Sequence, residues 1–221
     1  YVAPKQREMA REKAIELSRE SEGELDDISR AGRYYLARAA WRLWDFKTAE
    51  AILREVLAEE ESAEAWDLLA CILECTGRAE DAGVADSRAA ELDPEGFAVP
   101  ARFSEEEIES VISEVLAELP EPFQTALDQV PIVLRDFPDA RMAAAEDSHS
   151  LPFAPDVLGL FVAGVSSGPA VVDSAPQAGT IFLFKGNLER SCADRETLVE
   201  EVGVTLFHEV AHFLGFEEEE M

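Results

Sequence analysis

The feature that most constrains this chain is a pair of histidines near its C-terminus, in the run LFHEVAHFLGF at residues 206–216. Residues four apart on an α-helix project from one face about a turn apart, so His208 and His212 can reach one metal ion. Tetrahedral zinc accepts imidazole ligands of this kind. Glu209, beside the first histidine, is placed to take a proton from a water that the metal activates. The pattern therefore predicts a zinc site on a helix.

The residues around the pair predict an amphipathic helix that ends soon after it. Ser191 or Asp194 can cap the start of this helix. Gly215 lies where the helix should end, because glycine adopts the left-handed conformation that follows many helices without strain. The apolar positions that we expect to face the core recur every three or four residues, at Val199, Val202, Leu206, Val210 and Phe213.

The third metal ligand is expected just beyond the end of this helix. On an unbroken helix, a residue ten positions after His208 would lie about 280° round the axis and would not face the metal. A turn at Gly215 can instead bring the following carboxylates back toward the histidines. Glu218 is the first candidate for this ligand, and Glu217, Glu219 and Glu220 are its rivals.

The net charge of the chain limits the classes of partner that we expect. Forty-seven acidic residues face nineteen basic ones, which gives a formal net charge of −28. Such a surface repels nucleic acid and anionic lipid, so we expect neither as a partner, whereas basic peptides would be attracted. A simpler interpretation of the same charge is solubility or adaptation to high salt.

The cysteines and the hydropathy pattern favour a cytoplasmic location. Three cysteines at irregular spacing do not make a disulfide framework. Cys71 and Cys75 are interpreted as core residues of a helix. Cys192 precedes the motif helix, where a thiol of low pKa is an alternative to a core role. No apolar run approaches the length of a membrane span.

Residues 1–95 are predicted to be all-helical. A first helix covers Glu8 to Glu20, and two helical hairpins follow it. The second hairpin carries Trp66, Gly77 and Pro94 in an order that resembles a tetratricopeptide repeat. The resemblance implies a module that docks a peptide or packs against a partner protein.

A weaker copy of the repeat precedes this hairpin. Ala49 and Ala82 occupy equivalent positions and are 33 residues apart, close to the period of about 34 residues in such arrays. The copy has Trp44 and Asp45 where the turn glycine is expected.

Residues 96–103 are predicted to link the helical region to an α+β domain at 104–221. Ser104 and Glu107 have the spacing of a capping box at the start of a helix. Strands are predicted at 131–135, at 157–165, which we place in the centre of the sheet, and at 180–184.

The second half of the chain resembles the small bacterial zincin-like, or minimal, metallopeptidases. The resemblance rests on the helix that ends at Leu119-Pro120, on the runs LGLF at 158–161 and TIFLF at 180–184, and above all on residues 206–216. It implies a compact α+β fold with His208 and His212 as zinc ligands, Glu209 as the general base and a third ligand at Glu218.

Two functions follow from these expectations. The first is a zinc-dependent peptidase whose helical domain recruits a peptide or protein substrate. The substrate would lie extended along an edge strand formed by Thr180, Ile181, Phe182, Leu183 and Phe184. The alternative is a weakly active or inactive zincin-fold adaptor that acts through its helical repeats. A purely structural helical protein in which the histidine motif is incidental is a third interpretation.

Overall fold

The computed structural model describes residues 30–127, 130–143, 153–163 and 179–214. The helix predicted at Glu8 to Glu20 lies outside these residues. The chain divides into two compact units, one from residues 1–99 with 138–155 and the other from residues 100–137 with 156–221. The segment between the first two strands of the sheet therefore belongs to the helical unit.

The first unit contains two antiparallel helical hairpins. Their helices are α1 (Arg30–Arg42), α2 (Phe46–Glu59), α3 (Ala63–Cys75) and α4 (Ala79–Leu92). Asp45 caps α2 by accepting from the Thr48 N–H at 3.2 Å, and Ser62 caps α3 by accepting from the Ala65 N–H at 3.2 Å. The four helices were expected from the sequence.

The second hairpin repeats the first with a step of 33 residues. Helix α1 begins at 30 and α3 at 63, and α2 begins at 46 and α4 at 79. The hydrogen bonds of the turns repeat as well, because Asp45 N–H donates to Ala40 O at 2.9 Å and Arg78 N–H donates to Leu73 O at 2.8 Å. The spacing between Ala49 and Ala82 is thus a true structural period, while the tetratricopeptide assignment stays a prediction.

The turn residue of each hairpin lies in the left-handed region of backbone conformation. Gly77 has φ 77° and Trp44, its counterpart, has φ 63°. This conformation costs a residue with a side chain roughly 1–2 kcal/mol. Contacts of the buried indole offset the cost, since its Nε1–H donates to Phe153 O at 3.0 Å and its ring meets the Phe153 ring edge-on. Trp44 therefore holds residue 153 on the helical unit.

An ion pair joins the two hairpins. The Glu50 carboxylate of α2 accepts from both terminal nitrogens of Arg78, at 2.9 and 2.6 Å, and from Arg54 at 2.9 Å. These hydrogen bonds, above all that from Arg78, lower the pKa of Glu50 to about 2. Stability contributed by the pair is present above the ordinary glutamate pKa and is lost as pH falls toward 2.

We predict that Glu50→Gln destabilises the protein near neutral pH but not near pH 2. The expected loss is about 1–2 kcal/mol at pH 7, because the pair is partly screened by solvent. Chemical denaturation of both proteins between pH 2 and 7 measures the difference. A difference that persists unchanged at pH 2 would contradict the assignment of this pair. Glu109→Gln, the same substitution at an exposed glutamate of the other unit, is the control.

The second unit packs four helices with a small sheet. Its first strand lies within residues 130–137, and its second strand lies within residues 156–163. Its core includes Ile108, Val111, Ile181, Leu183 and Leu206. Its elements are α5 (Glu105–Glu118), α6 (Glu121–Leu127), β1 (Ile132–Arg135), β2 (Gly159–Val162), β3 (Thr180–Phe184), α7 (Lys185–Ser191) and α8 (Arg195–Phe213). The capping box of Ser104 and Glu107 is confirmed at the start of α5.

The order of the strands corrects two of our predictions. The sheet has the order β1-β3-β2, with β1 parallel and β2 antiparallel to β3. The strand around 159–162 is therefore at an edge of the described sheet and not in its centre. Thr180, Ile181, Phe182, Leu183 and Phe184 form the central strand, whose backbone groups pair on both sides. The prediction that these five residues form an edge strand is therefore wrong, and their binding of substrate stays a prediction.

Helix α7 was not predicted from the sequence. Its Glu189 is buried and accepts from Arg102 at 2.9 Å, from Lys185 at 3.2 Å and from the Phe103 N–H at 2.9 Å. A buried carboxylate needs such partners because its desolvation is costly. These contacts attach the residues before α5 to the core of the same unit.

Candidate metal centre

Helix α8 carries the histidine pair, and it begins after Asp194, one of the two caps that the sequence predicts. Asp194 caps it by accepting from the Thr197 N–H at 2.9 Å, and Glu196 lies in the first turn. The predicted core stripe is confirmed: Val202, Leu206 and Val210 are buried, and Val199 and Phe213 pack against the same core while half-buried. Packing on this face fixes the rotation of the helix.

The two histidines converge on one point beside this stripe. The Nε2 atoms of His208 and His212 are 3.1 Å apart, and the rings are nearly perpendicular. Two ring nitrogens at this distance need either a proton or a cation between their lone pairs. Both histidines are half-buried.

The pair fits a zinc ion. Two tetrahedral ligands at zinc–nitrogen distances near 2.0–2.1 Å are separated by about 3.3 Å, close to the distance between these nitrogens. Zinc also prefers imidazole donors of this kind. The donor chemistry and the spacing therefore agree with the sequence prediction.

The residues predicted to supply the third ligand are not among the described ones. Gly215 and Glu217–Glu220, with the favoured Glu218, lie outside the described residues. Within the described part of the chain, no three His, Cys, Asp or Glu side chains come together as a metal site. The roles of His208, His212 and Glu218 as metal ligands thus stay predictions.

Glu209 lies against the edge of the sheet. Its side chain is buried, and its Oε2 accepts from the backbone N–H of Phe161 at 2.6 Å. A hydrogen bond to a carboxylate is short and strong, and it fixes the orientation of the group. The contact therefore fixes the carboxylate of the residue that follows His208 on the helix.

Gly159 permits this contact. A Cβ at residue 159 would lie 2.5 Å from Thr205 Cγ2 and 3.3 Å from Glu209 Cγ, so helix and strand approach at van der Waals distance only because glycine has no side chain. The signal for this role in the sequence is weak: a glycine inside an apolar strand indicates either a bend or a close approach.

The surroundings of Cys192 disfavour the reactive thiolate form of its side chain. The side chain is buried, and burial, with smaller contributions from Glu201 and Asp194, raises the pKa of its thiol to about 11. The alternative of a low-pKa thiol at this position is wrong. The residue packs in the core of its unit.

A cavity of the same unit lies away from these residues. It has a volume of about 660 Å³ and lies between α5, α6 and β1, with Ile112, Leu127 and Leu134 among its lining residues. None of the histidines and neither Glu209 nor Gly159 lines it. We therefore place the candidate site at α8 and β2, where the histidine pair and the contact of Glu209 with the Phe161 N–H lie.

The comparison with protein families points the same way as the geometry. Residues 127–221 match the family model described as zincin-like metallopeptidase. The matched range includes all three strands, α7 and α8. No curated protein matches the chain. None of the described helices has the length and apolar character needed to cross a membrane.

We predict that Gly159→Ala lowers stability by about 1–3 kcal/mol, because its Cβ would force α8 away from β2. Thr205→Ala removes the nearest atom of the clash, so the double variant should recover part of the loss. Thermal unfolding of the four proteins measures the coupling between the sites. Additive losses would show that the two residues do not compete for the same space. Gly83→Ala, at a helical glycine with nothing within 4 Å of the added Cβ, is the matched control.

Proposed function

We propose that the C-terminal unit is a zinc-dependent peptidase with Glu209 as its general base. The observation that supports it most is the approach of two imidazole nitrogens to 3.1 Å on a helix that also carries Glu209. The buried Glu209 carboxylate is held at 2.6 Å by a strand at the edge of the described sheet. The match of residues 127–221 to zincin-like metallopeptidases supports the same reaction class.

In this proposal His208, His212 and Glu218 hold the zinc ion. The ion would supply Lewis-acid activation of a water and of the scissile carbonyl. Glu209 accepts the proton of the attacking water, whose oxygen bonds to the carbonyl carbon. The same carboxyl group then gives the proton to the leaving amine as the carbon–nitrogen bond breaks. The Phe161 N–H keeps the carboxylate oriented throughout.

The substrate in this proposal lies along β2. Phe184 N–H donates to Leu158 O at 2.9 Å, so the alternation of an antiparallel ladder directs the backbone groups of residues 159 and 161 away from β3. The Phe161 N–H then meets Glu209, while the carbonyl groups of Gly159 and Phe161 lie on the outer side of the strand. An extended peptide that pairs there would place its backbone next to the general base.

The helical unit would recruit the substrate or a partner protein. Its two hairpins stack with the 33-residue period of an array, and arrays of this kind present extended binding surfaces. We propose that they are tetratricopeptide-like. The net charge of −28 favours basic, extended peptides as the first substrates to be tried.

We predict that His212→Ala abolishes zinc binding. The wild-type chain should hold about one zinc per chain, and the variant should hold close to none, because one imidazole with one carboxylate is too small a ligand set. Elemental analysis of the purified proteins measures the content. Equal zinc in both proteins would contradict the assignment. His149→Ala is the matched control, since it removes the one histidine outside the motif.

We predict that Glu209→Gln keeps zinc but lowers kcat by a factor of about 10² to 10⁴, because glutamine cannot accept the proton. Hydrolysis of a library of basic peptides, with zinc content measured on the same samples, tests this. Undiminished hydrolysis by the variant would exclude Glu209 as the base. Zinc binding by a wild-type chain that cleaves no peptide would instead exclude the peptidase function.

A further inference from the structure

The structural repeat in the helical unit leaves one of its faces exposed. Leu68, Leu69 and Ile72 of α3 are 6%, 1% and 0% exposed and lie in the core of the unit. Their counterparts 33 residues earlier on α1 are Tyr35, Leu36 and Ala39. Tyr35 is 63% and Leu36 47% exposed, and Ala39 is exposed as well.

This difference follows from the stacking of the hairpins. The buried side chains of α3 share one core cluster with residues of the preceding hairpin, among them Leu53 and Val56 of α2. Helix α1 has no described hairpin before it, so the same face of the repeat meets solvent. The occupant that fits this face is therefore an amphipathic helix, because a helix is what covers its counterpart in the second hairpin.

The charge on α1 specifies the occupant further. Helix α1 has arginine at 30, 33, 38 and 42 and no acidic residue, in a chain whose net charge is −28. Arg33 pairs with Glu59. Arg38 and Arg42 are exposed and make no salt bridge with another residue of the described ranges. A helix that docks on Leu36 would thus meet two guanidinium groups on its flank.

We propose that the α1 face, defined by Tyr35, Leu36, Arg38, Ala39 and Arg42, binds an acidic amphipathic helix of a partner protein. The apolar side chains of the partner cover Tyr35 and Leu36, the small Ala39 lets the helix approach closely, and its carboxylates pair with the two arginines. The inference deepens the recruiting role proposed above for the helical unit. It does not depend on the metal centre.

A titration of the full chain with a labelled synthetic helix tests the proposal. The probe has the length of α2, leucines at positions i, i+3, i+4 and i+7, and glutamates on both flanks. Fluorescence anisotropy in EDTA should give a dissociation constant below about 100 µM. Binding should weaken about tenfold with Leu36→Asp and with Arg38→Glu/Arg42→Glu. It should also weaken between about 0.05 and 0.5 M salt.

Matched controls separate the α1 face from the rest of the surface. Val84→Asp changes an exposed apolar residue of α4, and Lys47→Glu changes an exposed cation of α2, so neither should alter binding. A probe with lysines in place of the glutamates should bind at least tenfold more weakly. Equal binding of the two probes, or equal loss with the control variants, would overturn the proposal.

Three further results would also overturn it. The first is no binding of the acidic helix at any salt concentration. The second is self-association of the wild-type chain that Leu36→Asp abolishes, which would make a second copy the occupant. The third is binding that appears only in Ile15→Asp/Leu17→Asp, which would make the chain's own N-terminal residues the occupant. Because EDTA is present throughout, none of these results bears on the peptidase proposal.

Discussion

The contact between helix α8 and strand β2 is the interaction on which the candidate site depends. Gly159 brings the strand close enough for the Phe161 N–H to reach Glu209 at 2.6 Å. The buried stripe of α8 fixes the rotation of the helix, and this rotation decides in which direction the face with His208 and His212 is turned. Core packing and site geometry are therefore set by the same helix–strand contact.

Burial of the Glu209 carboxylate costs free energy unless its hydrogen bonds are made. The Phe161 N–H supplies one of them for Glu209, and it is available because the outer backbone groups of β2 do not pair with β3. Strand β2, at the edge of the described sheet, therefore orients the Glu209 carboxylate. In the function proposed above, an extended peptide pairs with the same edge, so that one strand positions both the base and the substrate.

The helical unit shows how a repeat can diverge at single positions. Gly77 and Trp44 occupy the same turn position, but only the tryptophan contacts Phe153, from a segment that lies between β1 and β2 in the chain. Similarly, Leu69 and Leu36 are equivalent, yet one is buried and the other is exposed. The two hairpins repeat the same backbone structure with a period of 33 residues. The burial and the contacts of each side chain depend on what packs against its hairpin.

The sequence by itself determined the helix of the histidine motif, two candidate residues for its cap, its core stripe and the four helices of the repeat. These features follow from local periodicity and capping, which act over a few residues. The sequence did not reveal helix α7, the strand order or the contact of Glu209 with Phe161. An apolar run such as 180–184 suits a central or an edge strand equally, because its neighbours are distant in the chain. Only the tertiary structure decided these points, since each depends on which distant segments pack together.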